Sequence, residues 1–152
     1  MFEKTPLSQY SPRVKAGFLK LLRRKICHIL ARFAYPNGTR ISLLKIMGIN
    51  IGEKVYVGFD CFFDSDYAEL ITIEDNVMVS FRVIIVAHDG SSGTVSKIHI
   101  KRGAFLGAGA IILPGVTIGE NAVVGAGSVI ARDVPDGSVF MGNPATEHTK
   151  KK

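Results

Sequence analysis

From Ile51 onward the apolar positions repeat with a period of six, which neither a helix nor an ordinary strand produces. Ile100, Leu106, Ile112, Ile118, Val124 and Ile130 are aliphatic at successive six-residue steps, and the same register holds at Ile51 and Val57 and again at Ile73, Val79 and Ile85. The residue after the aliphatic is often glycine, as at Gly52, Gly58, Gly107, Gly119 and Gly125. The residue four after it is small or branched: Val55, Cys61, Val77, Val83, Ala104, Ala110, Val116, Ala122, Ser128, Val134. Six residues make one short strand and one turn, too little to bury an aliphatic alone, so the units must stack as a solenoid. The aliphatic and the small residue then share a narrow interior, and the glycines are expected to supply the backbone freedom of the corners.

Upstream the pattern is helical. Residues 13–34 place Val14, Phe18, Leu21, Leu22, Ile26, Ile29, Leu30 and Phe33 at three- and four-residue spacing, an apolar stripe opposite a basic face. This helix should stop near Tyr35-Pro36-Asn37-Gly38, and residues 41–47 read as a short second helix. The expected division is a helical cap over residues 1–48, a solenoid over 49–145 and a basic tail over 146–152. A solenoid end exposes strand edges and an apolar interior, so the helix is expected to cover it. A second role for its basic face is contact with anionic lipid, as a peripheral enzyme would make.

The repeat is interrupted twice, and an insertion in a solenoid leaves the coil as an exposed loop. The first, between residues 63 and 73, carries Asp64, Ser65, Asp66, Tyr67 and Glu69; the second, between 85 and 100, opens with Ala87-His88-Asp89-Gly90-Ser91-Ser92-Gly93. With three units to a coil, the acidic insertion lies one coil below the His88 loop and Pro114-Gly115 one coil above it. By the same count Gly107-Ala108-Gly109 stacks with Gly125-Ala126-Gly127, a wall almost without side chains that an extended ligand can approach closely.

Composition narrows the function. The chain has 152 residues, 47% of them hydrophobic, enough for a core without disulfides or a structural metal. Cys27 and Cys61 have neither metal-ligand nor paired-bridge spacing, and with no secretory leader or long apolar run in view a cytoplasmic location is expected. The net charge of +6 is local: Arg13, Lys15, Lys20, Arg23, Arg24, Lys25 and Arg32 lie in a stretch without acids, so the rest of the chain sums to −1. A general nucleic-acid-binding surface is therefore not supported. The same helix is the reason for extending the location to the inner membrane face.

The six-residue register, together with Ile112-Leu113-Pro114-Gly115-Val116-Thr117-Ile118-Gly119, Val124-Gly125-Ala126-Gly127-Ser128-Val129 and Gly142-Asn143-Pro144-Ala145, resembles the hexapeptide-repeat acyltransferases, in particular the maltose, galactoside and exopolysaccharide O-acetyltransferase branch. The resemblance spans roughly residues 50–145 and implies an all-β solenoid, a left-handed parallel β-helix preceded by the amphipathic helix. It implies acetyl-CoA as co-substrate with no metal, a homotrimer, and a coenzyme cleft between subunits with the pantetheine arm along the stacked coils. Gly107, Ala108 and Ala126 match that wall, and Arg132 or the tail Lys150-Lys151-Lys152 would meet phosphates. After Asn-Pro-Ala, where the resembling chains usually continue with a basic or aliphatic residue, this chain has Thr146-Glu147-His148.

His88 stands where the repeat fails, at the loop start where the resembling enzymes carry a catalytic histidine. Acyl transfer from a thioester to a hydroxyl needs a base, and imidazole titrates near neutrality, so His88 can act by direct transfer without a covalent intermediate. Asp64, Asp66 and Asp89 are candidates for orienting the imidazole or gripping the acceptor. Coil counting favours Asp64 and Asp66, and the resemblance favours Asp64 as an acceptor contact. Three other readings stay open: N-acetylation of an amino sugar or antibiotic, a zinc enzyme of the gamma-carbonic-anhydrase kind, and a non-catalytic scaffold. The zinc reading needs three histidines, and the repeat holds only His88 and His99. A scaffold has no need of a histidine-led loop.

Overall fold

The computed structural model describes residues 4–6 and 17–148. Its body is a parallel β-solenoid with three faces, and the six-residue units map onto it one per face. The first face stacks Asn50–Ile51, Ile71–Ile73, Ile98–Ile100 and Thr117–Ile118. The second stacks Tyr56–Val57, Met78–Val79, Phe105–Leu106, Val123–Val124 and Val139–Gly142, on which Ala145–Glu147 folds back antiparallel. The third stacks Phe62–Phe63, Ile84–Ile85, Ile111–Ile112 and Val129–Ile130.

Register follows the aliphatic positions. Ile51, Ile73, Ile100 and Ile118 pair up the first face, Val57, Val79, Leu106, Val124 and Phe140 up the second, and Phe63, Ile85, Ile112 and Ile130 up the third. All are buried, as are the ten small or branched residues that follow them by four. This interior is the core, and its burial drives stacking.

The corners correct one expectation. The glycines directly after the aliphatics do not adopt positive φ; the residue three after the aliphatic does, at Lys54, Asp60, Asn76, Arg82 and Asn121 and at Gly103, Gly109, Gly115 and Gly127. The directly following glycines serve close stacking instead: a Cβ on Gly107 would lie 2.5 Å from the backbone nitrogen of Ala126, one coil away. Two different constraints thus act at the corners, one on conformation and one on space.

Helix α1, Phe18–Phe33, and helix α2, Asn37–Met47, precede the solenoid. Residues 13–16 of the expected helix lie outside the described residues. Both helices contribute buried residues to the core at this end, Cys27 and Ala31 from α1 and Leu44 and Met47 from α2. The amide of Asn37 accepts from the Val57 N–H and donates to the Val55 carbonyl, so it takes the place of a strand neighbour along the edge of the first coil. Buried Arg40 ties the pieces together by donating to the carbonyls of Ala31, Ala34 and Val57.

α1 lies the other way round from the simplest expectation. Its buried face is Arg24, Cys27, His28 and Ala31, while Phe18, Leu22, Ile26, Ile29, Leu30 and Phe33 of the apolar stripe are exposed, with Leu19 beside them. The reason is ionic: Arg24 bridges Glu69 at 2.8 Å and donates to the Asp66 carbonyl, Lys25 bridges Asp66 at 2.8 Å, and Arg32 pairs with Asp60. These contacts turn the polar side inward.

Buried His28 sits edge-on to the Phe62 ring at 4.7 Å, with no hydrogen-bond partner for its Nε2 among the described residues. Burial, then the nearby Arg32 and Lys25 charges, hold its pKa below the ordinary value of 6.5. The unfolded chain therefore takes up a proton that the folded chain refuses. Stability from this site is full above pH about 6.5 and is lost progressively as the pH falls below it. Thermal unfolding followed from pH about 7.5 to about 5.5 should show a falling Tm, and His28→Leu should flatten that slope. An unchanged slope in the variant would contradict the assignment.

Candidate active site

Both insertions leave the solenoid at the corner after the third face. His88–Asp89 and Thr94–Val95 form a small antiparallel hairpin, with Thr5–Pro6 paired to its outer strand. At its turn Asp89 accepts from the Ser91 N–H at 2.9 Å and from the Ser91 hydroxyl at 2.6 Å. These bonds hold the Asp89 carboxyl well below the usual carboxylate range. Asp89 shapes the loop, then, and its carboxylate does not meet the imidazole.

One coil below, Asp64 follows Phe63 and is 3% exposed. Its Oδ2 meets His88 Nδ1 at 2.5 Å and accepts the Ala87 N–H at 3.2 Å, while its Oδ1 accepts the Asp66 N–H at 3.2 Å. A carboxylate can only accept, so in the neutral ring the proton sits on Nδ1 and the Nε2 lone pair is left as the acceptor. The side chain of His88 is 40% exposed. Its ring leans on Tyr67, with centroids 5.5 Å apart. The site therefore holds an oriented imidazole, backed by a buried carboxylate and open to solvent, which is the arrangement of a general base.

Asp66 faces elsewhere: its carboxylate pairs with Lys25, and Lys25 also donates to Ser65 at 2.9 Å. The acidic insertion is thus pinned by α1. His99, on the outer side of the first face, is hydrogen-bonded to Glu74 at 2.6 Å, away from the His88 corner. Among the described residues no group of three or more His, Cys, Asp or Glu side chains is placed to hold a metal ion.

The candidate coenzyme residues fall on two corners. The Gly107 N–H donates to the Val124 carbonyl and the Gly127 N–H to the Ala108 carbonyl, both at 2.8 Å, so the wall is two stacked turns at the corner between second and third faces. A Cβ on Gly109 or Gly127 would meet nothing within 4 Å, so the wall looks onto open space. Arg132 lies after the third face, on the corner of His88 but two coils higher, exposed, with its guanidinium 5.5 Å from the Phe140 ring centre. Within one chain a full face separates Gly107, Ala108 and Ala126 from His88 and Arg132. The tail Lys150-Lys151-Lys152 lies outside the described residues.

Three participants escaped the sequence reading. Tyr67 was visible in the insertion, yet nothing in the six-residue register aims it at the imidazole. The Lys25 and Arg24 ties depend on how α1 folds back, which no local spacing encodes.

Comparison with known proteins decides the family. The bacterial transferase hexapeptide model, of six repeats, matches residues 97–132. The chain is 31% identical over 130 residues to YvoF of Bacillus subtilis (strain 168), an acetyltransferase by name, covering 84% of this chain and 76% of that one. The chain belongs to the hexapeptide-repeat acetyltransferases. Among solved structures, this family member is similar to a galactoside acetyltransferase in complex with coenzyme A, with 28% identity and a TM-score of 0.67 over 86% of this chain and 80% of that one. It is also similar to a maltose O-acetyltransferase from Clostridium difficile 630, with 27% identity and a TM-score of 0.64 over 99% and 94% of the two chains. As a member of the family the protein is an acyltransferase enzyme, which removes the non-catalytic scaffold from consideration.

Proposed function

We propose that the protein transfers an acetyl group from acetyl-CoA to a hydroxyl of a sugar or saccharide, with His88 as general base and Asp64 as the residue that positions it. The observation that carries this reading is the His88–Asp64 pair, an exposed imidazole whose inner nitrogen is engaged by a buried carboxylate. His88 Nε2 takes the proton of the acceptor hydroxyl as that oxygen attacks the thioester carbonyl carbon. When the tetrahedral intermediate collapses, the carbon–sulfur bond breaks and the imidazolium returns the proton to the departing thiolate. The products are an acetyl ester and free coenzyme A, with no covalent enzyme intermediate. In this reading Asp64 acts through His88, since its buried oxygens are occupied by Ala87, Asp66 and His88. The left hand that the family implies for its β-helix belongs to the same proposal.

The assembly follows from the separated corners. A pantetheine arm lying on the Gly107-Ala108 and Ala126 wall is one face away from the same chain's His88, so a neighbour's His88 and Arg132 must close the cleft. The outer surfaces support this. The first face presents Asn50, Thr72, His99 and Thr117, whereas the second presents Tyr56, Met78 and Phe105, exposed by 37–48%. Phe59 and Phe81 stand exposed on the wall corner itself. Apolar surface concentrated beside one corner marks an interface. A homotrimer with three shared clefts satisfies both requirements under closed cyclic symmetry.

Light scattering should give about three times the 16.5 kDa chain mass. Calorimetry should then show about one acetyl-CoA bound per chain. A monomer that binds acetyl-CoA would overturn the shared cleft, and absence of binding would overturn the donor.

A further inference from the structure

We propose that α1 is an interfacial membrane helix, which sinks its exposed apolar arc among the acyl chains of an anionic phospholipid bilayer while the cations beside the arc meet lipid phosphates. The proposal goes beyond the acetyl-transfer reading and does not depend on it. At about 100° per residue, Phe18, Leu19, Leu22, Ile26, Ile29, Leu30 and Phe33 fall within one arc of about 120°. Each is 43–79% exposed. Such an arc on a surface helix ordinarily faces the core. Here it cannot, because the opposite side is fastened to the first coil through Arg24, Lys25 and Arg32. The body holds the helix with its apolar side outward.

Charge selects the occupant. No acidic residue occurs in α1, and Arg23 with Lys20 beyond it lies beside one border of the arc, while Lys25 and Arg32 near the other border are paired with Asp66 and Asp60 of the body. Arg13 and Lys15 continue the basic run upstream in sequence. A second copy docking by the same face would set cations against cations. A second copy docking by another face offers a surface whose charge nearly balances, since the rest of the chain sums to −1, and Asp60, Glu69, Glu74 and Asp136 are already in ion pairs or hydrogen bonds. A bilayer of anionic lipid supplies an apolar layer beneath a sheet of phosphates, matching both the arc and its borders. Because α1 packs on α2 and is tied to the first coil and the acidic insertion, docking there leaves the upper coils clear.

The test is vesicle flotation of the full chain, using phosphatidylcholine alone and phosphatidylcholine with about one third phosphatidylglycerol. The chain should float with the anionic vesicles and bind neutral ones about tenfold less. Leu22→Glu with Ile29→Glu should lower anionic binding by about tenfold or more at unchanged Tm and unchanged oligomeric mass. Lys20→Glu with Arg23→Glu should abolish the preference for the anionic vesicles. Absence of wild-type binding to either vesicle, or full binding by the Leu22/Ile29 variant, would overturn the proposal. A loss of oligomeric mass in that variant would assign the face to another copy of the chain and overturn it equally.

Discussion

Replacing His88 by alanine is expected to lower kcat by about 10³-fold while leaving acetyl-CoA affinity and oligomeric mass near their wild-type values. The separation follows from where the residue sits. His88 opens a hairpin outside the solenoid, and its side chain is 40% exposed, so truncation opens no cavity in the core. The coenzyme wall is made by other residues on another corner. What disappears is the group that, among the described residues, is oriented to accept a hydroxyl proton, and a neutral alcohol is a poor nucleophile toward a thioester. Steady-state release of coenzyme A, with acetyl-CoA binding measured in parallel, checks this. Activity within a few-fold of wild type would remove His88 from the chemistry.

The second large effect is expected at Asp64. Asp64→Asn keeps the shape of the side chain but offers one acceptor oxygen where three donors converge: the Ala87 N–H, the Asp66 N–H and His88 Nδ1. If the amide oxygen keeps the Asp66 N–H, its NH2 takes the place of Oδ2, where it opposes the Ala87 N–H and faces Nδ1, driving the imidazole proton to Nε2, the atom that must be free to accept. Turnover should fall on the order of 10²-fold with acetyl-CoA affinity unchanged. Asp64→Ala removes both oxygens, and a buried N–H left without a partner costs about 1–3 kcal/mol, so this variant should also show a lower Tm. A kcat loss carried by Asn without a matching change in acetyl-CoA binding distinguishes a positioning role from an acceptor contact, which would raise the acceptor KM instead.

How far the residues announce this structure varies with the kind of constraint. The period of six is legible because the coils repeat it: the aliphatics in register from Ile100 to Ile130 are all buried, whereas Ile111, Val123 and Val129, one residue out of register, are only half-buried. Counting units also placed Asp64 beneath His88, since stacking turns sequence distance into height along the solenoid. The same count could not tell an acceptor contact from a positioning residue, because that depends on the 3% exposure of Asp64. Glycine was read for one property where it has two, conformational freedom three residues after the aliphatic and absence of a Cβ one residue after. The orientation of α1 was not legible at all. Periodicity establishes that a stripe exists, but Glu69, Asp66 and Asp60 decide which side faces the body, and they lie in coils and insertions that no helical pattern reaches.

The central claim is catalysis of acetyl transfer to a hydroxyl at the His88–Asp64 site. It is tested most directly by supplying wild-type protein with acetyl-CoA and a panel of mono- and oligosaccharides, following free coenzyme A and identifying the product by mass spectrometry and alkaline lability. The account predicts acceptor-dependent coenzyme A release with an alkali-labile acetyl ester on a saccharide hydroxyl. Release confined to amine acceptors, with an alkali-stable amide as product, would contradict it.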